Sequence, residues 1–302
     1  MIPTKDEGIE LYVRNKHKKN VRFTGDKILL YVHGASYCAE TTFDLRLGNV
    51  SMMELLAQSG YDVYLVDMRG YGRSSRPAEM NAPPDQNPPI VRTKTAVEDL
   101  GEVIKFILKH RGVEKINLMG WSWGTSIMGC YTAANNSKVN RLVLYAPQWF
   151  RHTPSLADKG GKLGAYREIL REMAKDRWLS QVPEQKKLEL IPKGWFDKFA
   201  RATFQNPKIQ VPNGVLQDSR EFWSSGRALY DPAKIRVPTL LVHAEWDQDL
   251  PSYMMHAYYK ELKNAPYKRY LEIREGTHSV MMEKNRMKLF LAVRRFLDLK
   301  ET

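Results

Sequence analysis

Apolar runs and helical repeats alternate along most of the chain. Lys27–Val32, Asp62–Asp67, Ile116–Gly120, Arg141–Ala146 and Thr239–His243 read as strands with apolar interiors. Such runs suit strands buried on both faces of a sheet. Ile9–Val13 and Tyr270–Ile273 read as two further strands. Met52–Gln58, closed by Gly60, reads as a short helix. Thr95–His110 carries Val97, Leu100, Val103, Ile104, Ile107 and Leu108 at helical spacing. Helices are also predicted over Thr125–Ala134 and from Val280 to Leu299, while the Pro- and Asn-rich Ala78–Pro89 reads as a loop. This alternation predicts an α/β fold: a mostly parallel central sheet with helices on both faces.

One interval breaks the pattern. Gln148 to Asp231 shows no clear buried strand and holds helix-like pieces, Tyr166–Leu179 among them, split by Pro183, Pro192, Pro207 and Pro212. At roughly 80 residues it has the size of a small inserted domain. The expected organisation is a core in two parts, 1–147 and 232–302, interrupted by a helical cap over 148–231. Its aromatics, including Trp149, Phe150, Trp178, Trp195, Phe199 and Trp223, are expected mainly to glue short helices to the core. A few would line an apolar pocket beside Trp121, Trp123 and Tyr37.

Composition narrows the class. The chain has 302 residues and only two cysteines, Cys38 and Cys130, too few for a disulfide framework or a four-thiolate zinc site. Cys38 reads as a small buried filler. A cytoplasmic setting is expected, with no membrane-spanning run and no apolar leader in the first ten residues. The net charge of +13, from 47 Lys+Arg against 34 Asp+Glu, raises nucleic acid as a partner. The charge is scattered, however. Its one dense run, Arg14 to Lys19, reads as a solvated turn, and no phosphate-cradling or zinc-finger spacing appears. The expected partner is a small molecule, not a nucleic acid or a membrane.

The chemistry centres on Gly120-Trp121-Ser122-Trp123-Gly124, a G-x-S-x-G pattern between a predicted strand and a predicted helix. Its glycines let neighbouring backbones approach closely. Ser122 would stand at a helix N-terminus, where a developing oxyanion is favoured. A serine nucleophile needs a base, and the base needs an orienting acid. Of the downstream histidines, His152 lies in the insertion, His243 inside a strand and His256 in mid-helix. His278 stands in a loop between the last strand and the last helix, where a base could reach across the sheet top. For the acid, Asp247 and Asp249 compete, with Glu245 third. No cofactor is called for, and no metal: H-E-x-x-H and paired-Cys spacings are missing, and His243 with Asp247 reads as structural.

Taken together, these segments resemble the α/β-hydrolase fold superfamily, of the serine-hydrolase type with a helical cap. Leu30-Tyr31-Val32-His33-Gly34-Ala35 resembles its H-G oxyanion loop, and Asp67 to Ser74 its D-x-R-G-x-G-x-S turn. Gly120 to Gly124 resembles the nucleophile elbow. Ala244-Glu245-Trp246-Asp247 resembles G-x-x-D with alanine for the first glycine, and Gly276-Thr277-His278 resembles G-x-H. The resemblance implies a catalytic triad of Ser122, Asp247 and His278, with an oxyanion hole from the backbone N–H groups of Ala35 and Trp123.

The function expected is hydrolysis of a carboxylic ester or lactone of a small to medium organic molecule through an acyl-enzyme on Ser122. Epoxide opening and halide displacement are disfavoured, because relatives doing that chemistry carry aspartate at the nucleophile position. Two alternatives stay open. Ser122-Trp123-Gly124 also matches the elbow of proline iminopeptidases, in which cap carboxylates hold the substrate amine; Glu168, Glu172 and Glu221 are the candidates here. A hydrolase-fold sensor could instead bind a small molecule with little turnover.

Overall fold

The structure, a computed structural model, describes residues 1–299. Its elements run β1 (Ile2–Pro3), β2 (Glu10–Leu11), β3 (Val13–Lys16), β4 (Ile28–Val32), α1 (Ala39–Thr42), α2 (Met52–Gln58) and β5 (Asp62–Val66). Then come α3 (Thr93–Arg111), β6 (Ile116–Trp121), α4 (Trp123–Ala134), β7 (Val139–Tyr145), β8 (Tyr166–Leu170) and α5 (Arg171–Leu179). The chain continues through α6 (Lys187–Leu190), α7 (Trp195–Thr203), β9 (Lys208–Pro212), α8 (Gly214–Glu221) and β10 (Thr239–Ala244). It ends with α9 (Ser252–Glu261), β11 (Lys268–Ile273) and α10 (Arg286–Leu297).

The central sheet has the order β11-β10-β7-β6-β4-β5-β3. All its pairings are parallel except that of β3 with β5. Every residue of β4, β5, β6, β7 and β10 is buried, which explains their unbroken apolar character. The chain winds to one side of β6 through β4 and β5 and to the other through β7, β10 and β11. A crevice is therefore expected outside the carboxyl ends of these central strands. Among the described residues no helix is long and apolar enough to cross a membrane.

Three local expectations change. The predicted strand Ile9–Val13 is split: Glu10–Leu11 pairs with β1, and Val13–Lys16 joins the main sheet. The basic run accordingly begins inside a strand. Arg14 and Lys16 each lie 2.7 Å from the buried Asp44, and Arg14 also lies 2.7 Å from Glu40, so part of this charge is spent within the fold. The last helix begins at Arg286, after a separate short turn over Val280–Met282.

The segment 148–231 is not purely helical. Tyr166–Leu170, expected as the start of a helix, is a strand paired antiparallel with β9, from Tyr166↔Pro212 to Leu170↔Lys208. The helix begins only at Arg171. Tyr166-Arg167-Glu168-Ile169-Leu170 has no helical apolar repeat, and its β-branched and aromatic residues suit a ribbon. Trp149, Phe150 and Trp223 pack with Tyr230 and Tyr258, while Trp178, Phe196, Phe199 and Phe204 form a second aromatic cluster that reaches Tyr37.

Candidate active site

Ser122 occupies the sharp turn between β6 and α4 with φ +55° and ψ −120°, a conformation that non-glycine residues rarely adopt. The flanking glycines make the turn possible. A Cβ on Gly120 would stand 2.3 Å from the carbonyl oxygen of Gly124, and one on Gly124 would stand 2.5 Å from that of Val32. The N–H of Ser122 donates to Tyr145 O at 2.9 Å, tying the turn to β7. Trp123 opens α4, and the N–H groups of a first helical turn have no intrahelical acceptor.

The loop after β4 lies against this turn: a Cβ on Gly34 would approach Ser122 Cβ to 3.0 Å. His33 fixes the loop from beneath. Its Nε2 accepts the Met68 N–H at 3.0 Å, so Nδ1 carries the proton and donates to Gly34 O at 2.6 Å. Burial pushes its pKa down to about 4, against the opposing hydrogen bond to Gly34, so the ring stays neutral. The Ala35 carbonyl accepts from Tyr71 Oη at 3.1 Å and from Arg167 Nη2 at 2.8 Å, which links the loop to β8.

His278 sits after β11 and Asp247 after β10. His278 Nδ1 lies 2.7 Å from Asp247 Oδ2, and Asp247 Oδ1 accepts the Leu250 N–H at 2.9 Å. With Nδ1 donating to the carboxylate, Nε2 is left with its lone pair. The loop is anchored through the His278 carbonyl, which accepts from Tyr145 Oη at 2.6 Å and Trp121 Nε1 at 3.1 Å. Burial pulls the His278 pKa down, but the charge and hydrogen bond of Asp247 and the charge of Asp249 outweigh it, and the net shift is upward.

The two candidate aspartates differ in their partners. Asp249 grips α5 and the turn after it: Arg177 Nη2 donates to Oδ1 at 2.6 Å and Gln181 Nε2 to Oδ2 at 2.9 Å. Asp247, Asp249 and His278 offer ligand atoms within 4.8 Å of one another. Both carboxylates are engaged by protein groups, Asp247 by His278 Nδ1 and the Leu250 N–H, Asp249 by Arg177 and Gln181. His243 is buried in β10 with Nε2 at 3.0 Å from Leu250 O.

Ser122 and His278 line one cleft of about 880 Å³, including its solvent-open mouth. Ala35, Tyr37, Trp121, Trp178, Val215 and Leu216 supply much of its wall. Trp123, expected there, is instead buried, with Nε1 donating to Thr93 Oγ1 at 2.9 Å. The three candidate amine-holding carboxylates are also elsewhere. Glu168 pairs with Lys208 at 2.7 Å, Glu221 with Arg92 at 2.5 Å, and Glu172 is exposed; none lines the cleft.

Two residues near the cleft escaped sequence reasoning. Glu283 is fully buried and accepts from Trp178 Nε1 at 2.6 Å, from the Thr277 N–H at 3.0 Å and from the Thr277 hydroxyl. Burial raises its pKa to about 7, against those hydrogen bonds. Its signal was a charge directly after the apolar run Val280-Met281-Met282. Arg151 lines the cleft, and its only signal was a charge directly after Trp149-Phe150.

Comparison with known proteins agrees with this architecture. The sequence profile of the α/β hydrolase fold family matches residues 27–285. The chain is 29% identical over 133 residues to gastric triacylglycerol lipase of Mus musculus, covering 43% of this chain and 34% of that protein. It is 30% identical over 127 residues to lipase member N of Homo sapiens, covering 42% and 32% respectively. The matched stretch thus spans about a third of the length of these curated relatives. A thermophilic esterase from Thermogutta terrifontis superposes with a TM-score of 0.63 at 19% identity, covering 98% of this chain and 96% of the esterase, a likeness of fold. A parallel sheet with a strained serine turn at its carboxyl edge, together with a family profile spanning most of the sequence, leads to one assignment: the chain belongs to the α/β hydrolase fold family.

Proposed function

We propose that the chain is a serine hydrolase that cleaves a carboxylic ester of a small to medium organic molecule through an acyl-enzyme on Ser122. The observation that carries this reading is the placement of Ser122 in one cleft with His278, whose Nδ1 is held by Asp247 at 2.7 Å. The lipases and the esterase it resembles support the same reaction type.

Ser122 Oγ attacks the acyl carbon and its proton passes to His278 Nε2. Asp247 holds the tautomer and stabilises the imidazolium. The N–H groups of Ala35 and Trp123 receive the oxyanion, and losing one such donor costs about 3 kcal/mol in comparable sites. His278 returns the proton to the departing alkoxide. Water then attacks the acyl-enzyme with His278 as base, and Ser122 leaves reprotonated. Segment 148–231, supplying Arg151, Ala174, Trp178, Val215 and Leu216 to the cleft wall, acts as a cap in this reading.

Amine recognition has less support, because Glu168, Glu172 and Glu221 lie off the cleft. The test is pre-steady-state hydrolysis of p-nitrophenyl butyrate by the wild type and Ser122→Ala. A burst followed by Ser122-dependent turnover is expected. A burst without turnover would favour a sensor or an acyltransferase, and no Ser122-dependent signal in folded protein would overturn serine catalysis.

A further inference from the structure

Arg151 is a charge with an unusual set of partners. It is 7% exposed and sits on the loop after β7, the strand between β6 and β10 that carry Ser122 and Asp247 at their ends. Its guanidinium is held by backbone carbonyls: Nε donates to Thr153 O at 2.8 Å, and Nη2 to Pro154 O at 3.2 Å and Asp249 O at 3.4 Å. Among the described residues no carboxylate lies within ion-pair distance of it. Asp249, the acid in the cleft lining, spends its two oxygens on Arg177 and Gln181. Burial holds the Arg151 pKa below the usual arginine value, despite opposing charge from Tyr253, Asp249 and Asp247.

A buried cation is ordinarily paired with an anion, because neutral dipoles replace its hydration only in part. Three carbonyls fix this guanidinium in place without neutralising it, and they leave Nη1 for another acceptor. A guanidinium so fixed is pre-organised for a carboxylate, and the hydrogen bonds it offers are charge-assisted.

We propose that the cleft contains an anion subsite at Arg151 and that the preferred substrates are esters bearing a carboxylate. This rests on the serine-esterase reading above and narrows it to a substrate class. The chemistry is the same whether the carboxylate lies in the acyl part or in the alcohol part, and the two are separable with matched substrates.

In one arm, mono-p-nitrophenyl succinate is compared with p-nitrophenyl 4-methylpentanoate, in which an isopropyl group replaces the carboxylate. In the other, 4-(carboxymethyl)phenyl acetate is compared with 4-isobutylphenyl acetate. The wild type is expected to favour the charged ester by kcat/KM in one arm. Arg151→Met should lower that charged-to-neutral ratio roughly ten- to a hundredfold, with Arg151→Lys in between. A wild type that prefers the neutral ester in both arms, or a ratio unmoved by Arg151→Met, overturns the proposal.

Because Arg151 also braces its loop, a second measurement avoids changing it. Succinate should bind Ser122→Ala in calorimetry, while the uncharged succinamide should not. Equal binding of the two, or none, counts against the subsite. Failure of the parent reading looks different: no Ser122-dependent turnover of any of the four esters.

Discussion

The indole N–H of Trp178 donates to Glu283 at 2.6 Å, while the same carboxyl accepts the N–H of Thr277, the residue before His278. Trp178 lies on α5 and lines the cleft. One buried carboxyl therefore couples segment 148–231 to the loop that carries the proposed base.

That carboxyl should leave a signature in stability. Its pKa is raised by burial from 4.5 to about 7, so the folded state holds the proton more tightly than the unfolded chain does. Its contribution is greatest below pH 4.5 and is lost as pH rises through 7. A shift of this size corresponds to about 3 kcal/mol. Urea unfolding from pH 4.5 to 7.5 should show the wild type losing about that much relative to Glu283→Gln. Parallel curves for the two proteins would mean that Glu283 does not titrate in this window.

The two aspartates should separate cleanly. Asp247 orients His278, and removing such a charge in comparable sites lowers turnover by roughly 10⁴-fold. Asp249 holds Arg177 and Gln181. Asp249→Asn should act mainly through KM, by loosening α5, with turnover reduced about tenfold or less. Equal loss of kcat in Asp247→Asn and Asp249→Asn would refute the assignment of the acid.

The pH dependence has a definite direction. The base must be neutral to accept the Ser122 proton, and the His278 pKa lies above 6.5 because Asp247 and Asp249 outweigh burial. Activity should therefore fall as pH drops, with the midpoint of the acid limb of kcat/KM above 6.5. Asp249→Asn removes one of the raising charges and should move that midpoint down. A limb centred below 6 in the wild type would contradict the geometry.

Much of this was legible in the sequence, for physical reasons that also explain what was hidden. Strands such as β4 and β10 are buried on both faces, so composition alone marks them. Ser122 was legible because its turn needs Gly120 and Gly124 at fixed positions. Local pattern could not separate Asp247 from Asp249, two residues apart; that difference lies in His278 and Arg177, far away in the chain. The ribbon of Tyr166–Leu170 with Lys208–Pro212 was hidden for a similar reason, since its pairing partner lies roughly 40 residues on and its faces are only partly buried. Arg151 and Glu283 are charges directly after apolar residues. Only the fold reveals that one faces carbonyls and the other faces Trp178 and Thr277.

A last prediction concerns how segment 148–231 is fastened to the core. Arg92 supplies no side-chain cap to α3, the helix that begins at Thr93. The cap comes from α8 instead: Asp218 Oδ2 accepts the Thr93 N–H at 2.6 Å, and Oδ1 accepts Arg92 Nε at 2.5 Å. A carboxylate at a helix N-terminus satisfies a free donor and complements the helix dipole, and this one is 4% exposed. Asp218→Ala strands a buried N–H and part of the Arg92 guanidinium, which keeps Glu221 as a partner. The expected loss is about 2–3 kcal/mol in urea unfolding. Asp218→Asn keeps an acceptor for Thr93 and should lose roughly half as much. If Asp218→Ala costs under about 0.5 kcal/mol, the level of an ordinary surface substitution, the clamp contributes nothing and the segment is held by its other contacts, Trp178 with Glu283 and Arg177 with Asp249 among them.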